Sequence, residues 1–476
     1  MENGKLTTQL PHIAFLSSPG MGHIIPLAEL AKRLVCHHGF SATFLTFTNF
    51  SSSTQSSFLS SLHPGISSIS LPFIPLDDIP TSARIETILA TIVSRSAPHV
   101  RDALASLKQT TRLVAFVPDL FGSDLLPVAK ELSIPHYIFF TSTCMTLLFF
   151  LHLPSLHMAT TCEYRDLPEP FLLPGCLPLP GKDFLDTVMD RKNDAYTWIL
   201  HVMRGYNSAE GILVNSFEEM EPGASEALKN EKEKHPPVYL VGPFSRSGID
   251  EVDEFHCLDW LDQQPKNSVL FVSFGSGGTL SMEQTSELAF GLETSGQRFL
   301  WVVRCPSDKD KSAAFFDVQS PDNPLNYLPD GFVKRNADRG MVVPLWAPQV
   351  KVLAHVATGG FLSHCGWNST LESVSQGVPM ITWPLYAEQR MNSLMLADGV
   401  EIALKPVTRE DGLVERGEVA AVVKELMDGE RGKVARRKVK ELQEAAISAL
   451  SPEGSSHLDL TKAVDQWMNT VKESIR

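Results

Sequence analysis

Residues 346–389 read WAPQVKVLAHVATGGFLSHCGWNSTLESVSQGVPMITWPLYAEQ, a stretch in which strand, turn and helix patterns follow one another. At its centre an apolar strand pattern, Gly359 to His364, runs into the turn Cys365-Gly366 and then into a helical pattern that Gly377 ends. Parallel sheets built from such strand-turn-helix units bind their ligands at the carboxyl ends of the strands. The stretch therefore predicts an α/β domain with a ligand site at this turn.

The turn after the strand is a suitable place for phosphate. The first N–H groups of a helix have no partner within the helix, and the helix dipole attracts an anion to the same point. His364, Asn368 and Ser369 add side-chain donors there. A glycine turn that contains Ser276 follows another apolar strand and is expected to join them. The sequence thus predicts a diphosphate that is held by hydrogen bonds and a helix dipole, without a metal ion.

Residues on either side of this turn suit a nucleoside and a sugar. Trp346 offers a flat face for a base, and Glu372, on the first turn of the helix, is placed to accept two ribose hydroxyls. Glu388 and Gln389 follow the apolar strand Pro379 to Leu385, and the Gln389 amide is expected to donate to and accept from neighbouring sugar hydroxyls. Taken singly, such residues are more often core or solvated surface. Their combination predicts a nucleotide-sugar site.

The whole stretch resembles, nearly position for position, the signature box of plant family-1 UDP-glycosyltransferases. The resemblance implies two doubly wound, Rossmann-like α/β domains that face each other across a cleft, the GT-B fold. It implies that UDP-glucose is the donor substrate, since Gln at the last position is associated with glucose, although Glu388 stands where family members often have Asp. The implied donor-binding residues are Trp346 at uracil, Ala347 next to it, Gln349 and Glu372 at the ribose, Ser276, His364, Asn368 and Ser369 at the diphosphate, and Trp367, Glu388 and Gln389 at the sugar.

Other segments carry local signals of secondary structure. Ser41 to Phe47 is a predicted strand, and Thr81 to Lys108 is predicted to form one long helix, whereas the alternation of strands and helices breaks off over residues 141–191. In the second half, Ser281 to Gln284 form a capping box that predicts the start of a helix, and Gly296 is expected to end it.

Strand and helix patterns also alternate in the N-terminal half. The strand His12 to Ser18 leads into a Gly-x-Gly turn that presents His23, and the strand Arg112 to Val117 ends just before Asp119. Both residues are therefore expected at the carboxyl edge of one sheet. Histidine side chains titrate near neutral pH and suit a general base, although a turn histidine in isolation is more often structural. The resemblance makes His23 the catalytic base and Asp119 the acid that orients it.

The composition fits a globular protein that is too long for one core. The chain has 476 residues, of which 43% are hydrophobic and 20% charged. We predict an acceptor-binding domain with the base at residues 1–244, a linker at 245–256, a UDP-sugar-binding domain at 257–456, and a C-terminal helix, 457–476, that returns to the first domain. The net charge of -14 argues against nucleic acid or an anionic membrane as a partner.

Several features bear on the compartment. The N-terminus has no apolar signal region, and Cys144 to Leu153 is only about half as long as a membrane-spanning helix requires. The 7 cysteines are irregularly spaced, without a CxxC pair, which favours a reducing compartment and no zinc site. A glycosylation sequon at Asn368 lies inside the predicted phosphate site, where modification would block it. We therefore expect a cytoplasmic protein, and we expect it to be a monomer.

The acceptor is expected to be a small aromatic alcohol. Residues 17–23, residues 117–124 and the insertion before Tyr327 resemble the plant subgroup that glucosylates small phenols of the hydroquinone and monolignol types. An apolar slot for a flat ring is predicted from Phe121, Phe140, Phe149 and Phe150, although most of these side chains are equally suited to the core. A hydroxy-indole would fit the same slot. The predicted reaction is inverting transfer of glucose to the acceptor hydroxyl, which gives a β-O-glucoside.

Two other functions remain open at this point. A nucleotide-cofactor oxidoreductase on the same sheet type is disfavoured because Ile25 takes the place of the third glycine of the dinucleotide fingerprint. A catalytically silent relative that only binds a UDP-sugar or another ligand is disfavoured by the presence of His23, Asp119 and Gln389 together. The segment Asp308-Lys309-Asp310 matches the motif of metal-dependent glycosyltransferases, but it lies in a polar loop. We therefore expect neither a metal nor a cofactor.

Overall fold

The computed structural model describes residues 9–230, 234–246, 252–308 and 323–474. The chain forms two compact units, one of Met1–Phe244 with Ser448–Arg476 and one of Ser245–Ile447. The second unit ends before residue 456, where the sequence placed its end. The reason is that Leu450 packs against the core of the first unit and its carbonyl accepts a hydrogen bond from Arg33.

The first unit contains two parallel sheets. One has the strand order β3-β2-β1-β4 and the other the order β5-β6-β7. The strands are β1 (Pro11–Leu16), β2 (Ser41–Phe47), β3 (Ile66–Leu71), β4 (Arg112–Pro118), β5 (Tyr137–Phe140), β6 (Gly211–Val214) and β7 (Val238–Leu240). Parallel bridges from Phe116 to His136 and from Asp119 to Phe139 place β4 beside β5. The carboxyl ends of β1 and β4 therefore meet at one edge, as the sequence predicted.

The helices of this unit follow the strands. They are α1 (Met21–His38), α2 (Ser53–Ser60), α3 (Ile85–Arg95), α4 (Ala97–Thr110), α5 (Leu126–Glu131), α6 (Cys144–Ala159), α7 (Asp194–Gly205) and α8 (Pro222–Leu228). The sequence pattern predicted one long helix from Thr81 to Lys108, and this prediction is wrong. Ser96 ends α3, and Pro98, which lacks an N–H group, lies in the first turn of α4.

A second difference from the sequence pattern concerns residues 141–191, where the predicted alternation of strands and helices breaks off and no helix is predicted. They include α6, whose first turn is capped by the Thr143 hydroxyl and by the buried carboxylate of Glu221, which accepts the N–H groups of Cys144 and Met145. The helix is apolar on all sides because most of its side chains are buried. Within the described residues, no helix is both long enough and apolar enough to cross a membrane.

The second unit has one parallel sheet with the order β10-β9-β8-β11-β12-β13. Its strands are β8 (Val269–Ser273), β9 (Arg298–Val303), β10 (Gly340–Pro344), β11 (Thr358–Ser363), β12 (Met380–Thr382) and β13 (Ala403–Leu404). The order reverses between β8 and β11, and ligands of open α/β sheets bind at the carboxyl ends of strands at such a reversal. The turns that contain Ser276 and His364 lie at that point.

The helices of the second unit connect and follow its strands. They are α9 (Cys257–Leu261), α10 (Met282–Ser295), α11 (Phe332–Arg335), α12 (Gln349–Ala354), α13 (Trp367–Gln376), α14 (Gln389–Leu394), α15 (Arg416–Asp428) and α16 (Glu430–Ala449). For α10, the Ser281 side chain accepts the Gln284 N–H, and Gly296 ends the helix in the left-handed conformation. Both caps of this helix are confirmed.

The last helix, α17 (Ser455–Ser474), packs within the first unit. Trp467 has no exposed surface, and its ring meets those of Tyr137 and Phe40 at centroid distances of 5.5 and 6.3 Å. The Asp459 carboxylate accepts the N–H of Leu240 in β7. The predicted fold class, two α/β units with parallel sheets, is confirmed.

Candidate functional site

The predicted base and its acid lie side by side at the edge of the first unit. His23 is in the first turn of α1, which opens after Gly20, and Asp119 directly follows β4. The Nδ1 atom of His23 is 3.0 Å from Oδ2 of Asp119, with 14% of the histidine side chain exposed and none of the aspartate. The contact is not aligned as a hydrogen bond, so Nδ1 makes no such bond within the described residues. The two side chains are in contact, and the exposed part of the ring is accessible to a substrate.

Three donors fix the Asp119 carboxylate. The Ser18 N–H donates to Oδ2 at 2.7 Å and the Ser18 hydroxyl to Oδ1 at 2.8 Å, while the Phe121 N–H donates to Oδ1 at 3.2 Å. These bonds hold the carboxylate against His23. Ser18 was not predicted as a site residue. The signal that was available is its position at the end of the predicted strand His12 to Ser18, just before the turn that presents His23.

The four predicted acceptor-pocket residues do not lie together at a surface. Phe121 is beside the base, with its ring centroid 5.7 Å from that of His23. Phe140 and Phe149 have no exposed surface, and Phe150 is only 4% exposed. Phe140 meets Phe150 edge to face at 5.6 Å, in the core around α6. A residue that lines an open slot retains exposed surface, so the structure places Phe140 and Phe149 in the core and only Phe121 beside the catalytic pair.

In the second unit, the His364 ring lies between two glycines. A Cβ atom on Gly275 would come within 2.6 Å of the imidazole, and one on Gly366 within 2.3 Å. Only glycine fits at these two positions without displacing the ring. Burial, together with the charge of Arg304, lowers the pKa of His364 to about 4. His364 is therefore neutral at neutral pH, and it is available as a hydrogen-bonding group and not as a cation.

The helix that follows this turn begins where the sequence predicted. Gly366 precedes α13 and has no side chain that could cap the first N–H groups. Asn368 and Ser369 lie in the first turn, and Trp367 is almost completely buried, with 3% exposed. A helix start without a capping side chain at the carboxyl edge of a sheet is favourable for an anion.

The Gln349 side chain joins two other predicted donor residues, Ser369 at the diphosphate and Glu372 at the ribose. The Gln349 amide nitrogen donates to the Ser369 hydroxyl at 2.9 Å and to Oε2 of Glu372 at 2.6 Å. Ser369 and Glu372 are on α13, and Gln349 begins α12. The structure thus brings together the start of one helix and the first turns of the next.

The predicted base-stacking residue is accessible. Trp346 has 44% of its surface exposed, whereas Ala347 has only 4%. Leu345, just before it, has a positive φ of 64°, and the Trp346 N–H turns back to the Pro344 carbonyl at 2.7 Å. This tight turn presents the indole outward, as stacking requires.

The Gln389 side chain differs from the expectation. Its Oε1 accepts the N–H groups of Leu385 and Tyr386 at 2.8 and 3.0 Å, so the amide oxygen holds the loop before α14. The prediction that this amide both donates to and accepts from sugar hydroxyls is therefore wrong for the oxygen. Only its NH₂ group is left for a sugar hydroxyl.

Asn392 is a residue that the sequence analysis missed. Its side-chain nitrogen donates to the Cys365 carbonyl at 2.9 Å and lies 3.4 Å from Oε1 of Glu388. Asn392 has no exposed surface and lies one turn of α14 beyond Glu388. It therefore ties the predicted phosphate turn to the predicted sugar residues, a link that only the folded chain reveals.

The remaining predicted residues concern the glycine turn and the metal. Ser276 is exposed in the turn after β8, which the left-handed Gly275 opens. Asp308 accepts the N–H of Met282 at 3.0 Å and so caps α10, while Lys309 and Asp310 lie outside the described residues. Among the residues that the structure describes, no group of three or more His, Cys, Asp or Glu side chains is placed to hold a metal ion.

The chain is similar to known proteins over both of its units. Residues 250–435 match the profile of the family described as UDP-glucoronosyl and UDP-glucosyl transferase. A hydroquinone glucosyltransferase of Rauvolfia serpentina is 51% identical over 466 residues, which cover 98% of this chain and 99% of that protein.

Two solved structures are similar over almost the whole chain. Phytolacca americana UGT2, complexed with UDP-2-fluoro-glucose and pterostilbene, is 49% identical with a TM-score of 0.88, and the match covers 96% of this chain and 100% of that one. A UDP-glucosyltransferase from Polygonum tinctorium that is capable of glucosylating indoxyl, in complex with 3,4-dichloroaniline, is 49% identical with a TM-score of 0.90, covering 97% and 99%. The chain therefore belongs to the UDP-glucoronosyl and UDP-glucosyl transferase family and is a plant-type glycosyltransferase with the GT-B fold.

Proposed function

We propose that the protein transfers glucose from UDP-glucose to the hydroxyl of a small aromatic acceptor, with inversion at the anomeric carbon, and releases UDP. The observation that carries this proposal is the His23–Asp119 pair, 3.0 Å apart at a strand edge, in a chain that also has the complete donor box. Membership of the family excludes the oxidoreductase alternative. The silent relative is disfavoured because the pair is intact.

The proposed donor site is in the second unit. Uracil stacks on the exposed face of Trp346, and the ribose hydroxyls bind Glu372, which Gln349 orients. The diphosphate lies at the start of α13, near His364, Asn368, Ser369 and Ser276. Trp367, Glu388 and the NH₂ group of Gln389 bind the glucose. We propose that no metal or cofactor is required, since hydrogen bonds and the helix dipole stabilise the leaving diphosphate.

The proposed reaction is a single displacement. Because Nδ1 of His23 faces Asp119, Nε2 is the atom that takes the proton from the acceptor hydroxyl. The acceptor oxygen attacks the anomeric carbon as that proton leaves, and the bond to the UDP oxygen breaks on the opposite side. The carboxylate of Asp119 stabilises the imidazolium that forms and holds the ring in the correct tautomer. Attack opposite the leaving group gives the β-O-glucoside.

The proposed acceptor class rests on relatives and on one side chain. Named relatives act on hydroquinone and indoxyl, so a phenol or a hydroxy-indole is the proposed acceptor. Phe121 is placed to contact the ring of such an acceptor, since it lies beside His23. We also propose a reducing, cytoplasmic compartment, which the 7 free cysteines support. The proposed oligomeric state is a monomer.

The test is an acceptor screen with UDP-glucose, in which product mass and UDP release are both recorded. Phenols and hydroxy-indoles of similar size should give products heavier by one glucosyl group, with one UDP released per product. A matched set in which the hydroxyl is methylated should give none. Binding of UDP-glucose without turnover of any acceptor would favour the silent relative instead.

A further inference from the structure

Arg304 lies at the carboxyl edge of the sheet of the second unit. It directly follows β9, and its Nη2 donates to the Leu345 carbonyl at 3.1 Å, just after β10. The Nε atom is buried and has no hydrogen-bond partner among the described residues. Electrostatically, the guanidinium acts on His364, after β11, and interacts with the Tyr386 hydroxyl, after β12. Arg304 thus interacts with three other loops at this edge, those after β10, β11 and β12.

Arg304 is partly buried and, among the residues that the structure describes, lacks the carboxylate partner that such a guanidinium normally has. Buried charges in proteins are usually paired, because removing them from water is costly. Arg304 forms no ion pair with a carboxylate in the part of the chain that the structure describes, and burial lowers its pKa. An anion bound at this edge would supply the missing partner.

Arg436 provides a contrast within the same sheet. Its Nη2 donates to a backbone carbonyl, that of Gly359, at 2.9 Å near the start of β11, the opposite edge of the sheet. Burial lowers its pKa too, but the charge of Asp428 acts on it in compensation. The charge of a carboxylate acts on Arg436, which lies away from the predicted donor residues, so its role is structural.

We propose that Arg304 supplies the fixed positive charge that binds the diphosphate of the donor. The inference rests on the proposed function and adds to it a residue outside the predicted donor set. The neutral His364 cannot supply this charge, and a helix dipole offers only about half a charge. Arg304 carries a full charge and an unused buried N–H at the same edge, and guanidinium groups match the geometry of phosphate oxygens.

The test compares UDP with uridine, which lacks the phosphates. Binding of both is measured to the wild type, Arg304→Met, Arg304→Lys and the control Arg436→Met, by calorimetry for UDP and by ligand-detected NMR for the weaker uridine. Arg304→Met should weaken UDP about 10- to 100-fold, as expected for the loss of a charge-assisted contact, and leave uridine unchanged. The UDP affinity of Arg304→Lys should lie between those of the wild type and Arg304→Met. The control Arg436→Met should bind both ligands as the wild type does.

Two outcomes would overturn the inference. An equal loss for UDP and uridine would mean that Arg304 acts only by holding Leu345 and orienting Trp346, and unchanged UDP binding would remove any role. If Arg304→Met does not unfold cooperatively on heating, the test rests on Arg304→Lys. This variant should bind UDP more weakly than the wild type and bind uridine equally well, and any other result would overturn the inference. A wild-type protein that does not bind UDP would instead overturn the proposed function itself.

Discussion

His23→Ala should lower kcat by about 10²- to 10⁴-fold for an acceptor that is protonated at the assay pH. One nitrogen of the ring faces Asp119 at 3.0 Å, so a single atom, Nε2, is left to take the proton. The factor corresponds to about 2.7–5.4 kcal/mol of transition-state stabilisation, at about 1.36 kcal/mol for each tenfold change. UDP binding should be unchanged, because the proposed donor residues are all in the second unit.

The variant is expected to fold normally. The imidazole is partly exposed and Nδ1 makes no aligned hydrogen bond, so its removal should change the free energy of unfolding by less than about 1 kcal/mol. A thermal unfolding curve checks this point. Any loss of kcat in a protein with an unchanged transition then belongs to the chemistry.

The decisive assay is a series of phenols with falling pKa. An acceptor that is already ionised needs no base, so the ratio of wild-type to His23→Ala kcat should approach 1 as the acceptor pKa falls below the assay pH. A ratio that stays constant along the series would refute the role of His23 as a base. Wild-type kcat in the variant with hydroquinone-like acceptors would refute it as well.

The acid needs a different control, for a structural reason. Both oxygens of Asp119 accept backbone N–H groups, Oδ2 from Ser18 and Oδ1 from Phe121. In Asp119→Asn one of these donors must face an NH₂ group, so the variant should lose about 1–3 kcal/mol of stability in addition to activity. Ser18→Ala is the better probe, because it removes only the hydroxyl bond to Oδ1 and leaves the charge. We expect a kcat loss smaller than that of His23→Ala, and equal losses would contradict this account.

Four further predictions follow from the donor site and from burial. Trp346→Ala should raise the KM for UDP-glucose and leave kcat nearly unchanged, since stacking stabilises ground and transition states alike, and a pure kcat effect would contradict it. UDP-glucose should be preferred to UDP-galactose by roughly 5- to 150-fold in kcat/KM, and Gln389→Ala should reduce this preference; similar values for both donors in the wild type would contradict it. EDTA should leave activity intact. If EDTA abolishes activity and Mg²⁺ or Mn²⁺ restores it, a role of the metal motif at residues 308–310 is supported instead. Burial lowers the pKa of His12 and His364 from 6.5 to about 4. As the pH falls, these histidines therefore take up protons in the unfolded chain before they do so in the folded chain. Stability should therefore fall as the pH drops from 6.5 to 4, by up to about 3 kcal/mol for each histidine, and equal denaturation midpoints at pH 7 and pH 5 would contradict this.

Much of the fold was predictable because its signals are local. Apolar runs gave the strands, and β2 has the predicted bounds Ser41–Phe47. Capping residues gave the limits of α10. The same local reasoning failed for α6, which is buried on nearly all sides and so has no polar face to produce helical periodicity. It also joined α3 to α4, since the hydrophobic pattern continues across the break at Ser96.

The candidate site divides in the same way. Apart from Ser276, the predicted donor residues lie between Trp346 and Gln389, and strands, turns and helices that are close in sequence place them at one edge. Ser18, Asn392 and Arg304 could not be predicted so easily, because each acts on a residue far away in sequence: Asp119, Cys365 and Leu345. The hydrogen bonds from backbone N–H groups to the Gln389 oxygen could not be predicted either, since the sequence does not show which groups an amide contacts in the fold.

These contacts stabilise unusual backbone conformations at the carboxyl edge of the second unit's sheet. Leu345, Cys365 and Ala387 are non-glycine residues with positive φ, and they lie one or two positions before Trp346, Trp367 and Glu388. Such a backbone conformation costs roughly 1–3 kcal/mol and persists only where the surroundings hold it.

The surroundings here are the three side chains that donate to or accept from these loops. Arg304 donates to the carbonyl of Leu345, Asn392 donates to that of Cys365, and Gln389 accepts the two N–H groups just before Ala387. Each left-handed residue is therefore held by a polar side chain from another loop or helix of the same edge. Because a turn that relaxed would withdraw the residue after it from the donor, these contacts belong to the site as much as the residues that touch the ligand.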